Sequence, residues 1–141
     1  MTLGNLSFGI PNIDVARSRG GTVNPCHFVG HQLVVLFLPN DAREQAVELE
    51  QYEKLASDIA DVDGWLLAIG SEPGKSGREG IPIAFDPNGK VWGAFTEVAK
   101  AEDLDRSKGA TFLFTRGGAF HRFWSGPGHA SDVLEELRSR G

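Results

Sequence analysis

The sequence predicts an α/β fold: a central mixed sheet with an N-terminal β-hairpin, flanking helices and a C-terminal ββα unit. Three observations carry this. Gln32-Leu33-Val34-Val35-Leu36-Phe37-Leu38 is apolar after its first residue and suits a strand buried on both faces. Pro39 ends it, and an amphipathic helix follows almost at once. A second apolar run, Trp65-Leu66-Leu67-Ala68-Ile69, completes a right-handed parallel βαβ unit.

The elements follow in order. Residues 1–10 are Gly-rich and without period, so they read as a loose segment. Asn12 to Ala16 alternates, Arg19-Gly20-Gly21 is turn-like and Thr22-Val23 resumes a β-type pair, which predicts a small hairpin. After Pro39, Asn40 and Asp41 are good N-caps, and Glu44 stands three positions beyond Asp41 as in a capping box. Ala42, Ala46, Leu49, Tyr52, Ala56 and Ile59 then share one helix face, leaving Arg43, Glu48, Glu50, Lys54 and Asp58 elsewhere. Asp63-Gly64 breaks that helix, and Ser71 to Gly80, with Pro73, Gly74, Gly77 and Gly80, reads as a loop. Ile81 to Phe85 leads into the turn Asp86-Pro87-Asn88-Gly89, and the polar stretch from Ala99 to Lys108 suits one or two helical turns. Thr111 to Thr115 and Ala119 to Trp124 flank Arg116-Gly117-Gly118 as an antiparallel hairpin. Ser131 and Asp132 start a last helix whose apolar face is Val133, Leu134 and Leu137.

Composition narrows the function. At 141 residues the chain is expected to be one domain, residues 1–141, able to fold without disulfides or metal. The apolar fraction of 40% and charged fraction of 23% are those of a soluble globular protein. No apolar run reaches the roughly 18 residues of a membrane span. The N-terminus lacks a secretion signal, so a cytoplasmic location is expected. A net charge of −5 with scattered basic residues argues against nucleic acid, whose phosphates need a basic face. The single cysteine excludes a dithiol mechanism within one chain.

The strand-proline-helix element, the second strand, Phe85-Asp86-Pro87-Asn88-Gly89-Lys90-Val91 and Ala110-Thr111-Phe112-Leu113-Phe114 together resemble the thioredoxin fold, and specifically its peroxiredoxin-like (AhpC/TSA-type) branch. Thioredoxin proper would carry a proline where Ala110 stands. The resemblance implies an active site at the start of the long helix, and there this chain departs from the family. Pro39 keeps the start of the motif, but Arg43 occupies the threonine position, Ala46 that of the peroxide-reactive cysteine, and Gly109, beside Lys108, that of the arginine. A Cys-x-x-Cys is absent too, since the first turn reads Ala42-Arg43-Glu44-Gln45. Pro39, Asn40, Asp41, Arg43, Ala46, Lys108 and Gly109 are therefore expected to form a vestigial site. Peroxide reduction needs a thiolate and donors for the charge developing on the leaving oxygen, and these substitutions remove both. Ala46→Cys, Arg43→Thr and Gly109→Arg together should recover some chemistry, provided the backbone accepts them.

No other stretch yields a firm site. Cys26 is the sole redox candidate, with His27 and His31 nearby, but it precedes the central strand whereas the family's site follows it. Seven extended residues put about 23 Å between the two ends at roughly 3.3 Å each. A buried, poorly reactive thiol is the expectation. One cysteine and two histidines fall short of the four ligands of a structural zinc, so no metal and no cofactor is predicted. Gly70 to Ser76 imitates a phosphate-binding loop but is one residue short and opens no helix. Asp86 to Gly89 lacks the further oxygens calcium needs. His121 and His129 read as surface groups. The expected function is a degenerate peroxiredoxin-like module that binds a protein or small-molecule partner. The rivals are a one-cysteine oxidoreductase using Cys26 with an external thiol, and a homodimer formed through the aromatic hairpin 111–124.

Overall fold

The structure, a computed structural model, describes residues 9–17, 20–71 and 81–140. Seven strands form one sheet in the order β2-β1-β5-β4-β3-β6-β7. They are β1 (Val15–Arg17), β2 (Thr22–Val23), β3 (Gln32–Phe37), β4 (Gly64–Gly70), β5 (Ile83–Phe85), β6 (Ala110–Phe114) and β7 (Phe120–Ser125). The helices are α1 (Ala42–Asp61), α2 (Lys90–Ala99) and α3 (Ala130–Arg140), with 3-10 turns at Pro25–Phe28 and Arg106–Lys108. β4 runs parallel to β3 and β5, whereas β6 runs antiparallel to β3 and β7, so the sheet is mixed as predicted. The N-terminal hairpin joins it through β1, antiparallel to β5.

β3 divides the core. Val34, Leu36 and Leu38 point to one face, where they meet Leu49, Tyr52 and Ile59 of α1 and Val133, Leu134 and Leu137 of α3. Leu33, Val35 and Phe37 point to the other, with Val91 and Phe95 of α2 and with Phe112 and Phe114 of β6. Every residue of β3 is buried, because a strand with helices on both faces needs apolar groups at odd and even positions alike. Phe112 is the hub of the second layer, its ring centroid 5.6 Å from Phe37, 5.7 Å from Phe95 and 6.1 Å from both Trp92 and Phe123.

Several expectations change. Lys90 to Ala99 forms a helix where only the preceding turn was predicted; Asp86, buried, accepts the Trp92 N–H at 2.9 Å and so opens it. After Ala99, which ends α2, the polar stretch carries one 3-10 turn, Arg106–Lys108, in line with the one or two helical turns expected there. On α1, Leu49, Tyr52 and Ile59 are buried and Ala56 partly so, but Ala42 and Ala46 are exposed. Nothing among the described residues covers the first turns of α1 at these two positions, so periodicity alone misplaces them. Glu48 is buried instead, its carboxylate accepting the Gly128 N–H at 2.9 Å, and burial raises its pKa against that hydrogen bond and the nearby His129. Gly9 and Ile10 are not loose: Gly9 bridges Ala119, and the Ile10 N–H donates to Gly118 at 2.9 Å. Residues 1–8, and residues 72–80 of the stretch expected to be a loop, lie outside the described residues.

Phe112→Ala removes the ring at the centre of the aromatic layer and is expected to cost roughly 3–5 kcal/mol in urea unfolding. A loss below about 1 kcal/mol, the range of a tolerated volume-conserving swap, would show that the layer can close around the gap.

Candidate functional site

The site that the family resemblance implies lies at the C-terminal end of β3, and its local structure follows from Pro39. That residue is buried and offers no N–H, so the ladder stops and the chain turns into α1. The junction is held from several sides. The Asn40 N–H donates to Ser107 at 2.8 Å, the Asn40 side-chain oxygen accepts from Ser71 Oγ at 2.8 Å, and Gln45 Nε2 donates to the Pro39 carbonyl at 3.1 Å. Asp41 caps α1, its carboxylate taking the Arg43 and Glu44 N–H groups at 2.9 and 3.0 Å. The amide end of the helix dipole is therefore already met by an anion of the chain itself.

Around this junction the substituted positions offer no nucleophile. Arg43 and Ala46 are exposed on α1, and Lys108 is exposed in the turn before β6. Gly109 is buried at φ +77°, and a Cβ there would overlap the Phe37 carbonyl oxygen. The backbone has thus closed on the position that the resemblance assigns to arginine, so the condition set for restoring arginine there, that the backbone accept it, is not met. An arginine does reach this end of the sheet from three residues earlier. Arg106 Nη1 donates to the Leu38 carbonyl at 2.7 Å, and its guanidinium carbon lies 5.5 Å from the Phe37 ring and 5.6 Å from the Trp92 ring. Its Nε and Nη2 are buried with no hydrogen-bond acceptor among the described residues. Burial lowers its pKa, and Asp86 opposes that through space. The sequence reading passed over Arg106, since matching the hairpin residue by residue leads to Gly109; the one signal was a basic residue within a turn of that position.

Cys26 sits where the sequence places it, before β3 and away from this junction. The 3-10 turn Pro25–Phe28 starts at Asn24, whose side-chain oxygen accepts the Cys26 N–H at 2.9 Å. The thiol donates to the Ile10 carbonyl at 3.2 Å, packs against the α2-side core, and has its pKa raised by burial. The six residues of β3 alone span about 20 Å at roughly 3.3 Å each. His27 is exposed, and His31 Nδ1 pairs with Asp63 Oδ1 at 2.7 Å, so neither is gathered with Cys26 into a metal cluster among the described residues. Asp63 also accepts from Arg116 Nε at 3.0 Å, tying together the turns before β3, before β4 and before β7. His121 and His129 are partly buried rather than freely exposed, with Glu136 at 2.6 Å and Asp132 at 3.6 Å respectively.

With this geometry in view, comparison with known proteins places the fold. No protein-family model and no curated protein matches the sequence. Among solved structures, Xanthomonas campestris peroxiredoxin Q is similar with a TM-score of 0.72 and 20% identity, over 92% of both chains. A cysteine-to-serine variant of the Xylella fastidiosa enzyme has a TM-score of 0.75 and 17% identity, over 94% of this chain and 96% of its own. The yeast mitochondrial 1-Cys peroxiredoxin, described with a thiol-resolving mechanism via glutathione/thioredoxin systems, has a TM-score of 0.75 and 17% identity, over 94% of this chain and 74% of its own. The fold is thus thioredoxin-like and of the peroxiredoxin kind. No helix among the described residues is long and apolar enough to cross a membrane.

Two outcomes are expected. Gly109→Ala should destabilise the protein by on the order of 1–3 kcal/mol through strain at a left-handed residue packed on β3, read as a lower urea midpoint; an unchanged midpoint would refute the close approach. Asp63, whose pKa is lowered first by the His31 hydrogen bond and then by Arg116, contributes stability above the ordinary carboxylate pKa that is lost as pH falls through its lowered value. Asp63→Asn, a residue that tolerates the same φ of 60°, should therefore lose less melting temperature than wild type below about pH 4. Parallel acid limbs would show that the pairing adds nothing to folding.

Proposed function

We propose that this chain is a peroxiredoxin-fold binding or regulatory module without peroxidase activity, acting on a protein or small-molecule partner. The observation that carries the reading is Ala46: an exposed methyl stands where the family resemblance puts the reactive cysteine, and the only thiol lies beyond the far end of β3. Peroxide reduction begins with thiolate attack on the peroxide oxygen, and a methyl has no electron pair to offer. The electrostatics of the helix end support the same reading. A thiolate at the start of α1 would compete for amides that Asp41 already occupies. Arg106, the cation nearest in sequence to Gly109 that reaches the β3 end, spends one donor on the Leu38 carbonyl. The same reading has the module work in the cytoplasm, without nucleic acid, metal or cofactor, in keeping with its net charge of −5 and scattered basic residues.

Peroxide consumption and disulfide reduction by wild type and Cys26→Ser, each with glutathione as external thiol, test this directly. The two proteins are expected to give the same background rate. Peroxide turnover by wild type that vanishes in Cys26→Ser would overturn the proposal in favour of a one-cysteine oxidoreductase, the kind of chemistry the yeast neighbour's description names.

A further inference from the structure

His121 is the extra residue of a β-bulge. Phe114 of β6 pairs with Phe120 and Leu113 with Arg122, so His121 has no partner between them. Regular alternation would point His121 and Arg122 to opposite faces; the bulge lets both reach Glu136 of α3. His121 Nε2 lies 2.6 Å from Glu136 Oε2, and Arg122 Nη1 donates to Oε1 at 3.2 Å. On the other side of the imidazole, Arg140 Nη1 is 3.3 Å from Nδ1. A guanidinium carries donors only, so Nδ1 must be the acceptor, and the proton of the neutral ring is then on Nε2, donated to Glu136. The partners thus fix the tautomer. The charged groups around the ring are Glu136 and Arg140 of α3 and Arg122 of its own strand, whereas Asp132, one turn earlier on α3, faces His129. Arg122 is occupied by Glu136 and sits over the Trp124 ring at 4.6 Å, and Arg140 has no second partner among the described residues.

A second proton changes what each nitrogen can do. Nε2–H keeps its bond to Glu136, which becomes charge-assisted on both sides. Nδ1 turns from acceptor to donor, so the hydrogen bond from Arg140 is replaced by two donors and two positive charges facing each other. Glu136 is held below the usual carboxylate range, first by the His121 bond, and so stays ionised while the imidazole titrates. We propose that His121 is a proton-operated switch for Arg140: neutral, it holds the guanidinium against β7, and protonated, it releases it while keeping Glu136. Strand and helix stay joined through Glu136 in both states. Acidification therefore changes only the last turn of α3, which gains an exposed, unpaired cation.

The test is a pH titration of the whole chain by nitrogen-15 NMR, from about pH 8 to about pH 5, the interval in which imidazoles exchange their proton. The neutral ring of His121 is expected to carry its proton on Nε2. Exchange of the Arg140 guanidinium protons with water, measured relative to the exposed Arg138 in the same helix, should be slowed roughly three- to tenfold while the ring is neutral, the effect of one hydrogen bond. The slowing should disappear as the ring is protonated. His121→Phe, which keeps a ring without nitrogens, should lose it at every pH. If that variant does not fold, the tautomer and the exchange ratio in wild type decide alone. A neutral ring protonated on Nδ1, an Arg140-to-Arg138 ratio that does not change across the titration, or slowing that persists in His121→Phe would each overturn the proposal. None of these readouts involves peroxide, so the outcome is independent of the reading of the chain as a module without peroxidase activity.

Discussion

The double-sided burial of β3 is the constraint from which the rest of the structure follows. A strand with helices on both faces has no solvent side, so from Leu33 to Phe37 its side chains are apolar, the buried Gln32 at its start donates to the Val62 carbonyl, and its neighbours must supply two complementary layers. Val34, Leu36 and Leu38 require α1 and α3; Leu33, Val35 and Phe37 require α2 and the aromatic residues of β6. The parallel pairing with β4 requires a crossover, which α1 provides on the first of these faces. The strand must also end abruptly, because its last residues lie where the chain turns outward. Pro39 ends it by withholding a donor, and Asp41 begins the next element by accepting two.

This part of the architecture was legible in the sequence because it depends on local pattern. An apolar run of β-favouring residues, a proline, a capping aspartate and a heptad-like stripe each announce themselves within a few positions, and the C-terminal hairpin and helix do the same. What was not legible depended on distant partners. α2 was missed because Lys90 to Phe95 contains Gly93 and two aromatic residues, a poor helix by propensity, and forms on a face that buries Val91 and Phe95. Glu48 was left off the apolar face by its spacing, yet it is buried and accepts the Gly128 N–H ahead of α3 from 80 residues away. Ala42 and Ala46 were assigned to the core by their spacing, although both are exposed in the first turns of α1.

The candidate site divides along the same line. The absence of a nucleophile at Ala46 and of a threonine at Arg43 could be read from identity and position alone. The role of Gly109 could not, because what matters there is a positive φ and the carbonyl of a residue 72 positions earlier. Arg106 was hidden by the same fact. Matching one hairpin to another assumes that the side chain entering the site leaves the backbone at the same place, whereas here the backbone occupies that place and the guanidinium arrives from the preceding turn.

That exchange gives the β3 end a different balance of charge from one suited to a thiolate. A reactive cysteine at the start of α1 needs free amides and a cation directed at it. In this chain the amides are taken by Asp41, and the cation is turned toward the α2 face, beside the paired rings of Phe37 and Trp92. A negative group would therefore be stabilised away from the helix end and beside the aromatic layer. The two changes reinforce each other. With the helix end neutralised there is less for a cation near α1 to assist, and with Gly109 pressed against β3 the arginine has only the other face to occupy. Among the described residues, the polar chemistry at this end of the sheet is thus built around a buried guanidinium rather than around the start of α1.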